Sequence, residues 1–471
     1  MRRTKIVATI GPASRAPDVL GQLVDAGVDV FRLNFSHGNV DEHRETAGAI
    51  RKAAQERGRV VGLLQDLQGP KIRVGKFKEQ RAALEAGQRF TLTRRDVAGD
   101  RERVGLTYPE LPREVRPGDL LLLDDGNIRL EVESSDGESI VTRVQVGGML
   151  SDGKGINLPG VALSLPALTD KDVADIASGA EIGVDWVAVS FVRTRDDVLL
   201  ARHYLKRVKS QARLIAKIEK PAAVQQFDSI LPEVDGIMVA RGDLGVELPA
   251  EQVPLIQKRL IRNSVRAGKP AITATQMLES MTGNPRPTRA EASDVANAIL
   301  DGTDAVMLSA ETAVGRYPVS AAQTMARIAV STEAAEEYRD KLLGEIKLAD
   351  PTIQDGVALA AVDVAKTLGA ACVVTFTASG STAWRVARLR PYSRLVVLTP
   401  NREVCQALAL AWGVTPFQAE DIRSTDEMST VAIRVVREAG IARPGEIIVI
   451  TAGVPFGVAG TTNLIRVEQI P

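Results

Sequence analysis

The chain has 471 residues, 45% hydrophobic and 25% charged, with 59 basic and 59 acidic side chains and a formal net charge of zero. That size suggests roughly two to four globular domains, and the charge balance argues against nucleic acid or an anionic membrane as principal partner while leaving small anions open. There is no apolar signal core after Met1-Arg2-Arg3, no long apolar run, and no CxxC spacing for Cys372 and Cys405, so a cytoplasmic, soluble protein with free buried thiols is expected.

Short apolar runs alternate with amphipathic helical patterns from the start. Lys5–Thr9, Val28–Asn34 and Val60–Asp66 read as strands, with helices over 16–26 and 40–57 between them. After Gly69-Pro70 the strands shorten and turns crowd in, as at Asp124-Asp125-Gly126-Asn127. No convincing helix intervenes, so an inserted all-β module is expected. The βα rhythm resumes with a capping box at Thr169–Asp172. Strands follow at Trp186–Phe191, Arg213–Glu219, Gly236–Ala240, Pro270–Thr275 and Ala305–Ser309, with helices over 251–267 and 289–300. Eight βα units predict an α/β fold, a (β/α)8 TIM barrel, here with the β module inserted after the third strand. A last α/β region, with strands at Val373–Thr377, Leu395–Thr399, Ile447–Thr451 and Ile465–Val467, follows. The predicted domains are residues 1–69 with 167–335, residues 70–166, and residues 336–471.

In such barrels the C-terminal strand ends carry the site. The first strand ends in Thr9-Ile10-Gly11-Pro12, the second in Arg32 through His37, and the third in Asp66. The fifth ends in Lys217 and Glu219, the sixth in an Arg241-Gly242-Asp243 turn, the seventh in Thr275-Gln276, and the eighth in Ser309 and Glu311. Strand side chains alternate with period two, so Lys217 and Glu219 share a face; from that strand alone, a structural ion pair and a site are both open readings. So many polar groups on one rim favour a site. Glu219 and Asp243 are hard oxygen ligands suited to Mg²⁺ or Mn²⁺, and Arg32, Arg73 and Lys217 supply charge for a phosphoryl group or an oxyanion. Read from residues alone, this is a metal-dependent enzyme acting on a small phosphorylated or carboxylated substrate.

The stretches KIVATIGPASR (5–15), FRLNFSHG (31–38), LQDLQGPKIRVG (64–75), KGINLPG (154–160), LIAKIEK (214–220), IMVARGDLGVE (237–247), ATQMLESM (274–281), the long run over 286–318 and TNLIRV (462–467) resemble the pyruvate kinase family, in order, over nearly the whole chain. The resemblance implies phosphoryl transfer from phosphoenolpyruvate to ADP, giving pyruvate and ATP, by a cytoplasmic homotetramer. The β module would be a mobile lid and the last region a regulatory domain. Glu219 and Asp243 would hold Mg²⁺ or Mn²⁺. Lys217 would stabilise the phosphoryl group and the enolate oxygen, and Arg32 with Arg73 would hold the phosphate. Thr275, Gly242 and Asp243 would orient the carboxylate, and Thr275 and Ser309 would relay a proton. Thr9, Pro12, His37 and Lys154 match nucleotide-side positions, and Asp125 the aspartate that closes over the site. Some members carry terminal extensions that this chain is expected to lack.

Many members need K⁺ near Asn34, Ser36 and Asp66 and carry a glutamate where this chain has Lys71, and often a threonine where it has Leu67. A lysine ammonium at 71 could take over the ion's electrostatic role, which predicts K⁺ independence. In the C-terminal region, Thr377, Ser379, Gly380, Ser381 and Thr382 form a hydroxyl-rich loop at a helix start, an effector-phosphate candidate. The 453–460 loop lacks the Trp and Arg of some fructose-1,6-bisphosphate-activated members, which points to AMP or a sugar monophosphate. Another metal-dependent barrel enzyme would leave the lid and last domain unexplained; a catalytically dead sensor would be expected to have lost Lys217, Glu219, Asp243 or Thr275.

Overall fold

The structure, a computed structural model, describes residues 2–161, 163–336, 338, 352–455 and 460–471. Residues 456–459 of the 453–460 loop, and the segment 339–351 near the start of the last region, lie outside the described residues.

Eight parallel strands close into a barrel: β1 (Lys5–Thr9), β2 (Val30–Asn34), β3 (Gly62–Asp66), β4 (Trp186–Val189), β5 (Arg213–Ile218), β6 (Gly236–Ala240), β7 (Ala271–Ala274) and β8 (Ala305–Leu308). Each pairs with its neighbours in sequence, and β1 closes the ring on β8. The (β/α)8 expectation holds.

Alternation along each strand sorts its side chains. Val7, Val30, Leu64, Trp186, Ala188, Ile215, Met238 and Ile272 form one buried cluster inside the barrel. Their neighbours, such as Ile6, Ala8, Leu63, Val187, Leu214 and Ala216, join the cluster beneath the surrounding helices. Fully burying one such aliphatic side chain contributes about 1.5–3 kcal/mol. The same parity carries Thr9, Arg32, Asp66, Ser190, Lys217 and Glu219 towards the barrel axis at the C-terminal rim.

The inserted module is a six-stranded sheet ordered Ile156–Asn157, Leu120–Leu123, Ile128–Ser135, Ser139–Val146, Arg89–Thr93, Arg103–Gly105, beside a pair formed by Arg81–Leu84 and Gly148–Ser151. It is not wholly without helix, because Leu111–Glu114 makes one turn, tied by the Tyr108 hydroxyl to Glu114 at 2.8 Å.

The C-terminal sheet has the order β11 (Val414–Gln418), β10 (Arg394–Thr399), β9 (Cys372–Phe376), β12 (Ile447–Gly453), β13 (Thr462–Gln469), with only β12 and β13 antiparallel. The sequence reading missed β11. It carries Pro416 and pairs on one side only, the edge location where proline is tolerated. This domain seals the N-terminal face of the barrel. Lys5 Nζ donates to the Val414 carbonyl at 2.7 Å, Trp186 Nε1 to that of Ala407 at 3.1 Å, and the buried Arg390 pairs with Asp304 at 3.0 Å. Cys372 and Cys405 are free and buried, and burial pushes both thiols up to about 12. Among the described residues no helix is long and apolar enough to cross a membrane.

Candidate functional site

Glu219, Thr275 and Ser309 each sit one residue beyond the strand expected to contain them. The chain bends as it leaves the sheet. Thr275 and Gln276 have left-handed φ values of 70° and 54°, and Phe191, beyond β4, has 57°. Such conformations are costly for side chains with a Cβ and persist where the surroundings hold them.

Four charged groups meet inside the rim. Arg32 Nε donates to Asp66 Oδ2 at 2.6 Å, and its NH1 reaches Thr9 Oγ1 at 2.9 Å. Lys217 Nζ lies 3.3 Å from Asp66 Oδ1 and 3.7 Å from Glu219 Oε2, and donates to Ser190 Oγ at 2.7 Å. Asp66 thus bridges the two cations. Burial alone would raise its carboxyl, but Lys217 and Arg32 outweigh it and hold Asp66 below the usual carboxylate range. Burial also opposes charge on Lys217, yet Asp66 and Glu219 raise its ammonium above the ordinary value. Both groups are therefore charged at neutral pH.

Glu219 is different. Its Oε1 accepts from the Phe191 N–H at 2.6 Å, while its Oε2 is buried without a hydrogen-bond partner. Burial pushes this carboxyl up to about 7, against the pull of Lys217, with the Asp243 charge adding to the rise. An orphaned carboxylate oxygen inside the field of a second carboxylate is the donor set a hard divalent cation relieves, one or two carboxylates sufficing for Mg²⁺ when substrate and water complete the shell. Among the described residues no cluster of three or more metal-ligating side chains exists.

Asp243 lies in a helix, Arg241–Glu247, rather than in the expected turn. The Gly242 N–H donates to Thr275 Oγ1 at 2.7 Å, and a Cβ on Gly242 would stand 3.4 Å from that oxygen. That is ordinary van der Waals contact, so the backbone here does not itself demand glycine. Thr275 Oγ1 also donates to the Ala274 carbonyl at 2.6 Å. Arg241 clamps the end of β7 through the Thr275 carbonyl at 2.7 Å and is itself held by Asp294 at 2.7 Å.

The remaining candidates are spread more widely. Arg73 sits at the root of the lid, where its NH1 donates to the Gly153 carbonyl at 2.9 Å. Lys154 pairs with Asp124 at 2.6 Å, and the exposed Asp125 faces Gly242 and Gln276 across one cavity. His37 and Pro12 are exposed beside the rim. Ser309 N–H donates to the fully buried Glu311 at 2.6 Å. Asn34 is in register with Asp66, and its Oδ1 accepts from the Ser36 N–H at 3.2 Å. Lys71 is not among them. Its Nζ lies 4.0 Å from Asp243 Oδ1, and among the described residues no ion pair or hydrogen bond joins it to Asn34, Ser36 or Asp66. Thr377 Oγ1 accepts from the Gly380 N–H at 2.9 Å, Ser379 meets Ser381 at 3.3 Å, and Thr382 meets Thr462 at 2.7 Å; Thr377, Ser379, Ser381 and Thr382 line one concave pocket, and Gly380 does not.

Sequence reading passed over the end of the fourth strand, where Ser190 supports Lys217. Its signal was available, because Ser190 follows Trp186 and Ala188 in inward parity. It also missed a buried latch under the lid, in which Glu247 Oε1 accepts from Lys220 Nζ at 2.5 Å and from Asn157 Nδ2 at 3.0 Å. These three lie far apart in sequence, and nothing local pairs them.

Two family models match the chain, the pyruvate kinase barrel domain over residues 1–322 and the pyruvate kinase alpha/beta domain over residues 355–468. A pyruvate kinase of Geobacillus stearothermophilus is 49% identical over all of this chain and 80% of its own length. One from Methylorubrum extorquens is 46% identical over all of this chain and 98% of its own. A solved pyruvate kinase structure from Cryptosporidium parvum superimposes with a TM-score of 0.93 at 36% identity, covering 100% of this chain and 96% of that one. With the barrel, the inserted lid, the C-terminal domain and the charged rim all in place, the chain belongs to the pyruvate kinase family of phosphotransferases.

Proposed function

We propose that this chain moves the phosphoryl group of phosphoenolpyruvate to ADP, forming pyruvate and ATP, and that the inward constellation Arg32–Asp66–Lys217–Glu219 carries the reaction. The P–O bond to the enolate oxygen breaks as a bond forms to a β-phosphate oxygen of ADP, and the enolate carbon then takes up a proton. Lys217 stands where negative charge accumulates on the transferred group and the leaving oxygen, and stabilises it most in the transition state. Arg32, oriented by Asp66 and Thr9, grips the phosphate; Arg73 would join it by leaving its backbone carbonyl. Glu219 and Asp243 would hold Mg²⁺ or Mn²⁺, which when bound supplies positive charge to the phosphoryl and carboxylate oxygens. Gly242 and Thr275 set the first turn of the Arg241–Glu247 helix for the substrate carboxylate. The Thr275 hydroxyl is committed to the Ala274 carbonyl, which favours Ser309, through water, for the proton relay. Thr9, Pro12, His37 and Lys154 border the nucleotide, and Asp125 closes over it from the lid.

The chain's own cation at Lys71 supports K⁺ independence, exerted beside Asp243 rather than within the Asn34–Ser36–Asp66 group. A coupled assay with phosphoenolpyruvate, ADP and Mg²⁺ in a tetraalkylammonium buffer tests both readings. Turnover is expected without K⁺, with added KCl raising it no more than about twofold on this electrostatic substitution. Negligible activity restored many-fold by KCl would overturn K⁺ independence, and no turnover under any condition would overturn the reaction.

The latch supplies a second test. Glu247→Ala leaves the part-buried Lys220 without its carboxylate, a loss of about 1–3 kcal/mol for an ionised group deprived of its partner. It also frees Asn157 in the lid, so the unfolding midpoint should fall and the KM for ADP should rise. An unchanged midpoint and KM would remove the latch.

The 377–382 pocket supports a phosphorylated effector. The backbone at the start of the Ser381–Arg388 helix suits a phosphate, and Glu420 and Asp421 on the same pocket suit the hydroxyls of a sugar. AMP or a sugar monophosphate fits both walls. Family membership supports a homotetramer, a cytoplasmic location and the lid and regulatory roles of residues 70–166 and 336–471.

A further inference from the structure

A cleft of about 590 Å³ opens between the barrel and the C-terminal domain, on the face away from the catalytic rim. Arg202, Arg213 and Lys269 line it from the barrel, and Arg385 and Arg388 from the other side, together with Ser379 and Ser381 of the 377–382 loop. The carboxylates in the same wall are Glu233, Asp235 and Asp355, which leaves two positive charges in excess.

Those carboxylates are already engaged. Asp235 holds Arg202 at 3.1 Å and accepts from the Leu214 N–H at 2.8 Å. Glu233 pairs with Arg195 at 2.6 Å. Asp355 takes Arg385 at 3.1 Å and Arg388 at 2.5 Å, while also accepting from the Thr352 N–H. Arg213 and Lys269 are left with carbonyl oxygens alone. Arg213 NH2 donates across the domain boundary to Ser379 at 2.9 Å, and Lys269 Nζ to Leu231 at 2.5 Å and Pro232 at 2.8 Å. Among the described residues neither has an ion-pair partner. Two further donors in this wall, Arg388 Nε and Trp384 Nε1, are buried without an acceptor. Burial lowers the pKa of Arg213, Lys269 and Arg388 alike, the mark of cations crowded together out of water. Cations withdrawn from water without a counter-charge are costly, and an anion placed between them repays the cost.

We propose that this interdomain cleft is a binding site for a small molecule bearing a phosphate monoester, on the opposite side of Ser379 and Ser381 from the 377–382 pocket, with which it shares those two residues. The excess of two positive charges matches a phosphate dianion, and arginine forks suit its oxygens. The volume suits a nucleotide-sized or sugar-sized body rather than a bare ion. Arg213 begins β5, the strand that ends in Lys217, and also holds the Ser379 carbonyl. Occupancy therefore bears on both the catalytic strand and the effector loop.

Calorimetric titration of the full-length protein with inorganic phosphate, without divalent cations, tests this. Lys269→Gln and Arg385→Gln should each weaken one phosphate-binding event about tenfold, the worth of one charge-assisted contact. Thr382→Val, which alters only the 377–382 pocket, should leave that event in place. Neither cleft residue belongs to the catalytic machinery, so unchanged basal turnover certifies that each variant is folded. Parent-like titrations from both cleft variants would overturn the proposal. Loss of the event in Thr382→Val alone would overturn it too, and would place the phosphate in the loop pocket instead.

Discussion

Lys217→Met should lower kcat by about a thousandfold, because removing one preorganised charge that acts mainly in the transition state costs about 10²–10³ or more. Binding of phosphoenolpyruvate should change far less, since Arg32 keeps its grip through Asp66 and Thr9. The geometry also predicts a stability effect that an isolated surface lysine would not show. Lys217 is the largest of the favourable charges on Asp66. A carboxylate with a depressed folded pKa contributes stability above its ordinary pKa, and that stability fades as pH falls through the folded value. The parent should therefore exceed the variant in stability at neutral pH, with the gap closing below about pH 4 as Asp66 protonates. Steady-state kinetics, phosphoenolpyruvate binding and denaturation at two pH values read all three effects. An unchanged kcat would end the role assigned to Lys217.

Glu219→Gln should raise the Mg²⁺ concentration needed for half-maximal activity by at least about a hundredfold, since losing even a supporting contact to a metal ligand costs about 10–100-fold. It removes one of the two carboxylates proposed to hold the ion. It should not unfold the protein, because an amide oxygen can still accept from the Phe191 N–H and the substitution removes a buried charge that nothing fully satisfies. Direct Mn²⁺ binding, followed by electron paramagnetic resonance, separates lost metal affinity from lost catalysis. Parent-like Mn²⁺ affinity would rule Glu219 out as a ligand.

Much of this was legible in the chain before folding. Period-two alternation in Leu214–Glu219 put Lys217 and Glu219 on one face, and the structure turns that face to the barrel axis. Eight strands in βα rhythm, interrupted after the third, specified the barrel and its insertion, because hydrophobic period and turn chemistry are local properties. Residue type likewise marked Glu219 and Asp243 as candidate metal ligands and Arg32 as a candidate for a phosphate.

What lies between elements needed the tertiary structure. Whether Lys217 and Glu219 pair was one such question: the two approach to 3.7 Å, while Asp66 takes the closer place beside the lysine at 3.3 Å. Lys71 turned to Asp243 because the chain after Gly69-Pro70 leaves the barrel for the lid, away from the Asn34 group it had been matched with. The Glu247 latch and the cationic cleft join residues 90 and 166 positions apart, as in Asn157–Glu247 and Arg213–Ser379. Sequence by itself determines which groups each strand presents and on which face. Only closure of the barrel and the docking of two further domains decide which of those charges meet, because Coulomb energy depends on a distance that no local pattern encodes.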